Sequence, residues 1–374
     1  MTKKAISLLL AGVITASSVL PTAAFATNVK EDVKVDSAVT TETQKETEAV
    51  TETLKVTRIE GKDRYLTAVE ASKKTFPNGA KYAAIATGEN FVDGLVGGSL
   101  TSQEGFPLLL TRKNSVSKEV IDEIKRLKPE EIFIFGGEAA VSLAVEKEIK
   151  ETGVKIRRLA GDDRYKTAGA IAVARLQLII PNASGIGDEG AAINAFNFVD
   201  ALSAGPFVGI MGKKEIEFCP LVPFNRTRVS ADLNQIVFGG TSAVPKGNRE
   251  KYRFAGSTRY ETAVEVAKAY KDVLKMDIDT VVLVSGEDFP DGLTAAEIAG
   301  EEKAAVLLTN AKTLNASTKK FIEENKNIKN IIILGGNAAV SEAVEKELEE
   351  IKVSAEVKEE TKTEETKADS AVKK

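Results

Sequence analysis

Three stretches of this chain are near copies of one another: RIEGKDRYLTAVEASKK from Arg58, RLAGDDRYKTAGAIAVA from Arg158 and RFAGSTRYETAVEVAKA from Arg253. A block that returns roughly every hundred residues restricts the fold more than composition can, because each copy must build the same small structure and the body must be assembled by packing the copies. The segments after each block repeat too. A helix-like stretch leads to a strand-like run (YAAIATG at 82, GAAINA at 190, TVVLVSG at 280), then to NFVDGL at 90, NFVDAL at 197 and DFPDGL at 288. Another apolar run comes next (FPLLLT at 106, AAVLLT at 304), and a last one ends in paired glycines: EIFIFGG at 131, QIVFGG at 235, NIIILGG at 330.

Short, continuously apolar runs alternating with helical stretches are the pattern of strands buried on both faces of a parallel sheet. Each copy reads as a βαβαβαβα unit, giving an α/β fold of three tandem small doubly wound modules with mainly parallel sheets and flanking helices: 54–153, 154–250 and 251–352. The middle module is irregular. ARLQLIIPNASGIGDEG stretches the link after its first helix, and IMGKKEIEFCPLVPFNRTRVSADLNQ leaves too little room for a full third helix. Distortion or lower stability is expected there.

The flanks differ from the body. Residues 1–26, with Lys3, Lys4, an apolar run and Ala24-Phe25-Ala26, read as a secretory signal peptide. Residues 27–53 and 353–374 are charged, Thr-rich and without period, so they are expected to be a flexible linker and a disordered tail. No second apolar run approaches a membrane span, and no LPxTG-type sorting motif occurs. A chain held at a surface would have to be held by what it binds.

Composition removes several functions. The chain has no His, which excludes Ser-His-Asp and Cys-His catalysis and imidazole metal sites. The lone Cys219 cannot form an internal disulfide and reads as a small buried hydrophobe. A net charge of −4 is unlike a chain built to coat nucleic acid.

The recurrent residues narrow the choice further. Gly61, Gly161 and Gly256 make a turn; Asp63, Asp163 and Thr258 stand where a helix N-cap belongs. Arg64, Arg164 and Arg259 fall in the first helical turn, against the helix dipole, and need a partner. Asp93, Asp200 and Asp291, at the same end of the sheet, are the natural candidates. Either each Arg braces its loop to that carboxylate, or it faces an anionic ligand, and both readings stay open. The pairs Gly136-Gly137, Gly239-Gly240 and Gly335-Gly336 lie between strand and helix, but without GxGxxG or a P-loop pattern they read as tight turns. The one recurrent acid has no recurrent acidic partner, which argues against two-carboxylate glycoside hydrolysis.

The compound pattern R-[ILF]-x-G-x-x-R-Y-x-T-A, N/D-F-x-D-[GA]-L, a PLLL-type run and [FL]-G-G-x-x-A-V, three times over, resembles the cell wall binding repeat 2 family of clostridial S-layer-associated surface proteins. The resemblance implies a pseudo-threefold trimer of modules within one chain. It also implies a secreted protein attached non-covalently to an anionic, teichoic-acid-like polysaccharide of a Gram-positive cell wall, with S-layer proteins as further candidate partners. With no His in the chain, no cofactor, metal or enzymatic activity is expected. The family's Pro-Ile-Leu-Leu motif, linked to polymer binding, falls on Pro107, Leu108, Leu109 and Leu110. In the third copy it falls on Ala305, Val306, Leu307 and Leu308, without the proline, and in the middle copy on Cys219, Pro220, Leu221 and Val222. The expected polymer-binding set is therefore these residues with Arg64, Arg164 and Arg259. A secreted adhesin is the alternative. A wall-lytic amidase is a weaker one, since a zinc amidase normally uses His ligands.

Overall fold

The apolar runs become strands, and the polar positions between them start or end helices. The computed structural model describes residues 51–181, 190–197, 199–214, 219–225 and 234–354. The first copy contains β1 (Thr51–Thr53), β2 (Lys55–Ile59), α1 (Arg64–Thr75), β3 (Tyr82–Thr87), α2 (Val92–Glu104), β4 (Leu108–Thr111), α3 (Lys118–Leu127), β5 (Glu131–Phe135) and α4 (Leu143–Lys150). The second contains β6 (Lys155–Leu159), α5 (Arg164–Ile179), β7 (Gly190–Asn194), α6 (Val199–Lys213), β8 (Leu221–Phe224) and β9 (Asn234–Phe238). The third contains β10 (Tyr252–Phe254), α7 (Arg259–Asp272), β11 (Thr280–Ser285), a 3-10 turn (Asp291–Thr294) running into α8 (Ala295–Glu302), β12 (Ala305–Thr309), α9 (Ala316–Glu324), β13 (Asn330–Leu334), α10 (Glu342–Glu349) and β14 (Lys352–Ser354).

Three four-stranded sheets result, ordered β4-β3-β5-β6, β8-β7-β9-β10 and β12-β11-β13-β2, and every pairing within them is parallel. The sheets are offset from the sequence modules 54–153, 154–250 and 251–352 by one strand. The strand that opens a copy completes the sheet of the copy before it: β6 lies on β5, β10 on β9, and β2 closes the ring by pairing with β13 (Lys55 opposite Asn330, Ile59 opposite Leu334). Helix α4 is the crossover that returns β6 beside β5, and α5 then carries the chain to the next sheet.

An arginine staples each borrowed strand. Arg58 donates from Nε and Nη2 to Glu345 and from Nη1 to the carbonyls of Gly335 and Val340. Arg158 repeats this on Glu146 and the Gly136 carbonyl. Arg253 binds the Gly239 and Val244 carbonyls in the same way, but takes its carboxylate from Glu250, three residues earlier. Beyond the ring, β1 and β14 pair antiparallel, Thr51 opposite Ser354.

At the centre α2, α6 and α8, the equivalent helices of the three copies, pack on one another, which is the expected pseudo-threefold arrangement. Small residues let the backbones meet. A Cβ on Gly209 would lie 1.8 Å from Ser102 Oγ and 2.8 Å from the Ser99 carbonyl oxygen. One on Gly300 would lie 2.6 Å from Ser102 Cα. The central strands β3 and β11 are buried along nearly their whole length, as continuous apolar runs require.

The middle copy departs where the sequence does. Residues 241–250 form turns in place of a fourth helix. The link at 182–189 and the segment 226–233, where room for a third helix is expected to be lacking, lie outside the described residues, as do residues 1–26, read above as a signal peptide, and most of both flanks. Cys219 is buried, and its carbonyl accepts from the fully buried Arg175 at 3.0 Å. No helix among the described residues is long and apolar enough to cross a membrane.

Candidate functional site

The Gly-x-x-Arg-Tyr block folds as a tight entry to a helix. A Cβ on Gly61 would sit 2.3 Å from the carbonyl carbon of Leu66, so only glycine lets the turn lie on the helix it precedes. The Gly61, Gly161 and Gly256 N–H groups donate to the hydroxyls of Thr67, Thr167 and Thr262, each at 3.1 Å. Asp63 accepts from the Tyr65 and Leu66 N–H groups, and Asp163 from those of Tyr165 and Lys166. Thr258 accepts from Glu261 N–H while the Glu261 carboxylate accepts from Ser257 N–H, a reciprocal cap.

The next residues, Arg64, Arg164 and Arg259, do not pair with the aspartate of their own copy, as the sequence led us to expect. Each donates Nη1 to the carbonyl just past the following strand: Gly88 at 2.6 Å, Ala195 at 2.6 Å and Gly286. The aspartate that each guanidinium influences belongs to the preceding copy: Asp93 feels Arg164, Asp200 feels Arg259, and Asp291 feels Arg64. The one-strand offset explains the exchange, because each Gly-x-x-Arg turn is delivered to the edge of the neighbouring sheet.

The three carboxyls share one electrostatic state. Burial raises all of them, and the facing guanidinium opposes it only in part. Asp200 is pushed up to about 6. Each lies over the first glycine of a Gly-Gly turn. Gly136, Gly239 and Gly335 have φ of 106°, 109° and 112°, and a Cβ there would fall 2.5, 2.5 and 2.7 Å from the aspartate Oδ2. The paired glycines are thus turns, as expected, shaped to admit a carboxylate. At Asp291 the Thr67 hydroxyl also opposes the rise.

Open cavities lie at two of these junctions. One of about 360 Å³ between the first two copies is lined by Asp93, Gly137, Gly161, Asp163, Arg164 and Thr167. One of about 320 Å³ between the third and first is lined by Gly61, Asp63, Arg64, Asp288, Asp291 and Gly336. Aromatic rings lie against both arginines: Arg64 is 5.8 Å from the Phe289 ring centroid, and Arg164 is 5.5 Å from that of the exposed Phe196. Phe196 was not picked out from sequence; it stands where the other copies carry Glu89 and Glu287, so the repeat held no signal for it. Among the described residues no cluster of three or more potential metal ligands occurs.

The PLLL-type motif is placed differently from the expectation. Leu108, Leu109 and Leu110 are 0% exposed in β4, and Leu307 and Leu308 are 0% exposed in β12. Pro107, Pro220, Leu221 and Val306 are buried as well, and Val222 is half-buried. The Pro107 and Pro220 carbonyls accept from the Ala84 and Ala191 N–H groups, fixing the edge strand in register. The fully buried side chains fill the core, and the strand they hold positions the loop that follows it.

The family model for cell wall binding domain 2 matches three times, over residues 58–146, 158–248 and 253–345. The chain belongs to this family. Among curated relatives, the N-acetylmuramoyl-L-alanine amidase LytC of Bacillus subtilis (strain 168) is 29% identical over 307 residues, 78% of this chain and 58% of LytC. The amidase enhancer of the same organism is 26% identical over 301 residues, 78% of this chain and 40% of that protein. The chain therefore spans about half the length of these relatives. Two solved structures share the fold: Cwp8 from Clostridium difficile (TM-score 0.64, 25% identity, 78% of this chain and 51% of Cwp8) and Cwp6 (TM-score 0.63, 22% identity, 79% and 48%). The three copies are cell wall binding domains, each joined to the next through a borrowed strand.

Proposed function

We propose that this chain anchors itself non-covalently to an anionic polymer of the Gram-positive cell wall, gripping it at the junctions between copies. One observation carries the reading. Arg64, Arg164 and Arg259 each spend one N–H on a protein carbonyl and leave the rest without a protein acceptor among the described residues. A planar guanidinium held this way can form a two-point contact with a phosphate or carboxylate. The half-buried Asp93 and Asp291 beside the two cavities can accept from sugar hydroxyls, and the rings against the arginines offer apolar faces to a sugar. The Pro107–Leu110 strand and its counterparts contribute by setting the loops, and binding of this kind requires no bond cleavage. Weak sites repeated on one rigid body gain avidity toward a repeating polymer.

The test is co-sedimentation with purified walls before and after acid extraction of their anionic polymers, using wild type and Arg64→Gln, Arg164→Gln and Arg259→Gln singly and together. Wild type should lose binding on extraction. Single variants should bind several-fold more weakly and the triple variant about 100-fold or more, because avidity multiplies the individual losses. Full binding by the triple variant refutes the junction sites; binding unchanged by extraction refutes the polymer. A fall in wall turbidity on incubation would point to hydrolysis instead.

A further inference from the structure

Beside α1 a separate cavity of about 300 Å³ opens between Tyr65 and the loop after β4, lined by Thr111, Arg112, Ser115 and Ser117 among others. Thr111 is 1% exposed, and its hydroxyl has no hydrogen-bond partner in the described structure. Leaving a buried hydroxyl unmet is costly, and such groups are rare in folded proteins. The Arg112 guanidinium lies 4.7 Å from the Tyr65 ring centroid and has no acceptor among the described residues. The loop is fixed from both sides: Arg112 N–H donates to the Ser115 carbonyl at 3.1 Å, and Ser142 N–H to the Lys113 carbonyl at 2.9 Å.

The other two copies show how this position looks when it is closed. Thr111 stands opposite Thr87 as Thr309 stands opposite Ser285 and Phe224 opposite Asn194. In the third copy the Thr309 hydroxyl donates to the Thr313 carbonyl and accepts from Asn315 N–H, and Asn310 replaces the arginine. In the second copy Phe224 has no hydroxyl, and Asn225 donates to the Tyr165 phenol at 3.0 Å. Among the described residues, only the first copy combines an unmet hydroxyl, a cation without an acceptor and a cavity. Of the cavity's carboxylates, Asp63 is engaged by helix N–H groups, and the exposed Glu119 is held below its usual range by its own N–H and the Ser117 hydroxyl. Of the unmet groups the guanidinium can only donate, and the Thr111 hydroxyl is free to donate beside it.

We propose that this cavity is a ligand site particular to the first copy, taking an oxyanion, phosphate or carboxylate, on the Arg112 guanidinium and the Thr111 hydroxyl. It rests on its own residues, whatever binds at the junctions. The test is calorimetric titration of the full chain in an Arg64→Gln/Arg164→Gln/Arg259→Gln background, which removes the junction arginines, with inorganic phosphate, glucuronate and neutral glucose. Saturable binding of phosphate or glucuronate but not glucose is expected, and the tighter of the two names the source of the anion. Thr111→Val should weaken that binding about tenfold, the loss of one charge-assisted hydrogen bond. Because it also removes an unmet buried hydroxyl, it should leave the melting temperature equal or higher. Arg112→Gln should abolish binding. No saturable anion binding in that background, an affinity unmoved by Thr111→Val, or a melting temperature lowered by it, each overturns the assignment.

Discussion

Arg58→Ala should detach β2 from β13 without unfolding the rest of the ring. The lost contacts are Nε and Nη2 to Glu345 at 3.0 and 2.7 Å, and Nη1 to the Gly335 and Val340 carbonyls at 2.7 and 2.8 Å. The side chains of Arg58 and Glu345 are 12% and 25% exposed, so solvent screening weakens the pair only partly. A charge-assisted hydrogen bond contributes about 1.5–3 kcal/mol. Neighbouring bonds do not add, but truncation also strands the Glu345 carboxylate, and together about 3 kcal/mol is expected. That is roughly a 150-fold rise in the opening equilibrium of the strand. Arg158→Ala makes a similar chemical cut on Glu146 and Gly136, yet β6 is tied by α4 and α5 on either side, whereas among the described residues β2 is preceded by the three-residue β1 alone. Hydrogen exchange read by mass spectrometry should therefore show residues 55–59 and 330–334 losing protection in Arg58→Ala, with a smaller local change around β6 in Arg158→Ala. A double-mutant cycle with Glu345→Ala, read by urea unfolding, measures the pair directly. Wild-type exchange at 55–59, or a coupling below about 0.5 kcal/mol, would refute the staple.

Other perturbations act on the packing and the buried carboxyls. Gly209→Ala puts a methyl within 1.8 Å of Ser102 Oγ and 2.8 Å of a carbonyl oxygen, and should lower stability by about 1–3 kcal/mol in urea unfolding. Leu109→Ala, in a fully buried strand, should cost about 2–5 kcal/mol. Its wall binding should fail only in step with unfolding; loss of binding with a wild-type urea midpoint would give the leucine a direct contact. For Asp200 the folded value of about 6 lies above the ordinary 3.8, so the native state holds the extra proton and stability falls as pH rises between those values. Asp200→Asn should accordingly gain up to about 3 kcal/mol over wild type at pH 7.5, about 1 kcal/mol at pH 4.5 and nothing near pH 3, read from urea midpoints at the three pH values.

The alternation of apolar runs with helical stretches was enough to place the strands and the outer helices, and the glycine and N-cap positions of the Arg-Tyr block fell where local chemistry put them. What could not be read was which sheet receives each strand. Lys55–Ile59 looks like the first strand of copy one, but its partner stands 275 residues along the chain at Asn330–Leu334, and no local preference encodes that. The mistaken Arg–Asp pairs descend from the same gap: Arg164 and Asp200 share a copy, while the fold sets Arg164 beside Asp93. The leucine motif left its role open in another way, because an edge strand covered on both faces and a polymer-touching run read alike. Arg175, fully buried against Gln103, carried no sign of burial in its sequence neighbourhood.

The short β1–β14 pair gives the molecule a mechanical property. Because the pairing is antiparallel and the two flanking segments leave from Thr51 and its partner Ser354, both depart from the same end of the ladder. Tension between those segments loads one residue pair at a time and peels the clasp open, where the same bonds pulled along their length would resist together. A pull through both flanks therefore meets these three residue pairs before it reaches the strand that closes the ring.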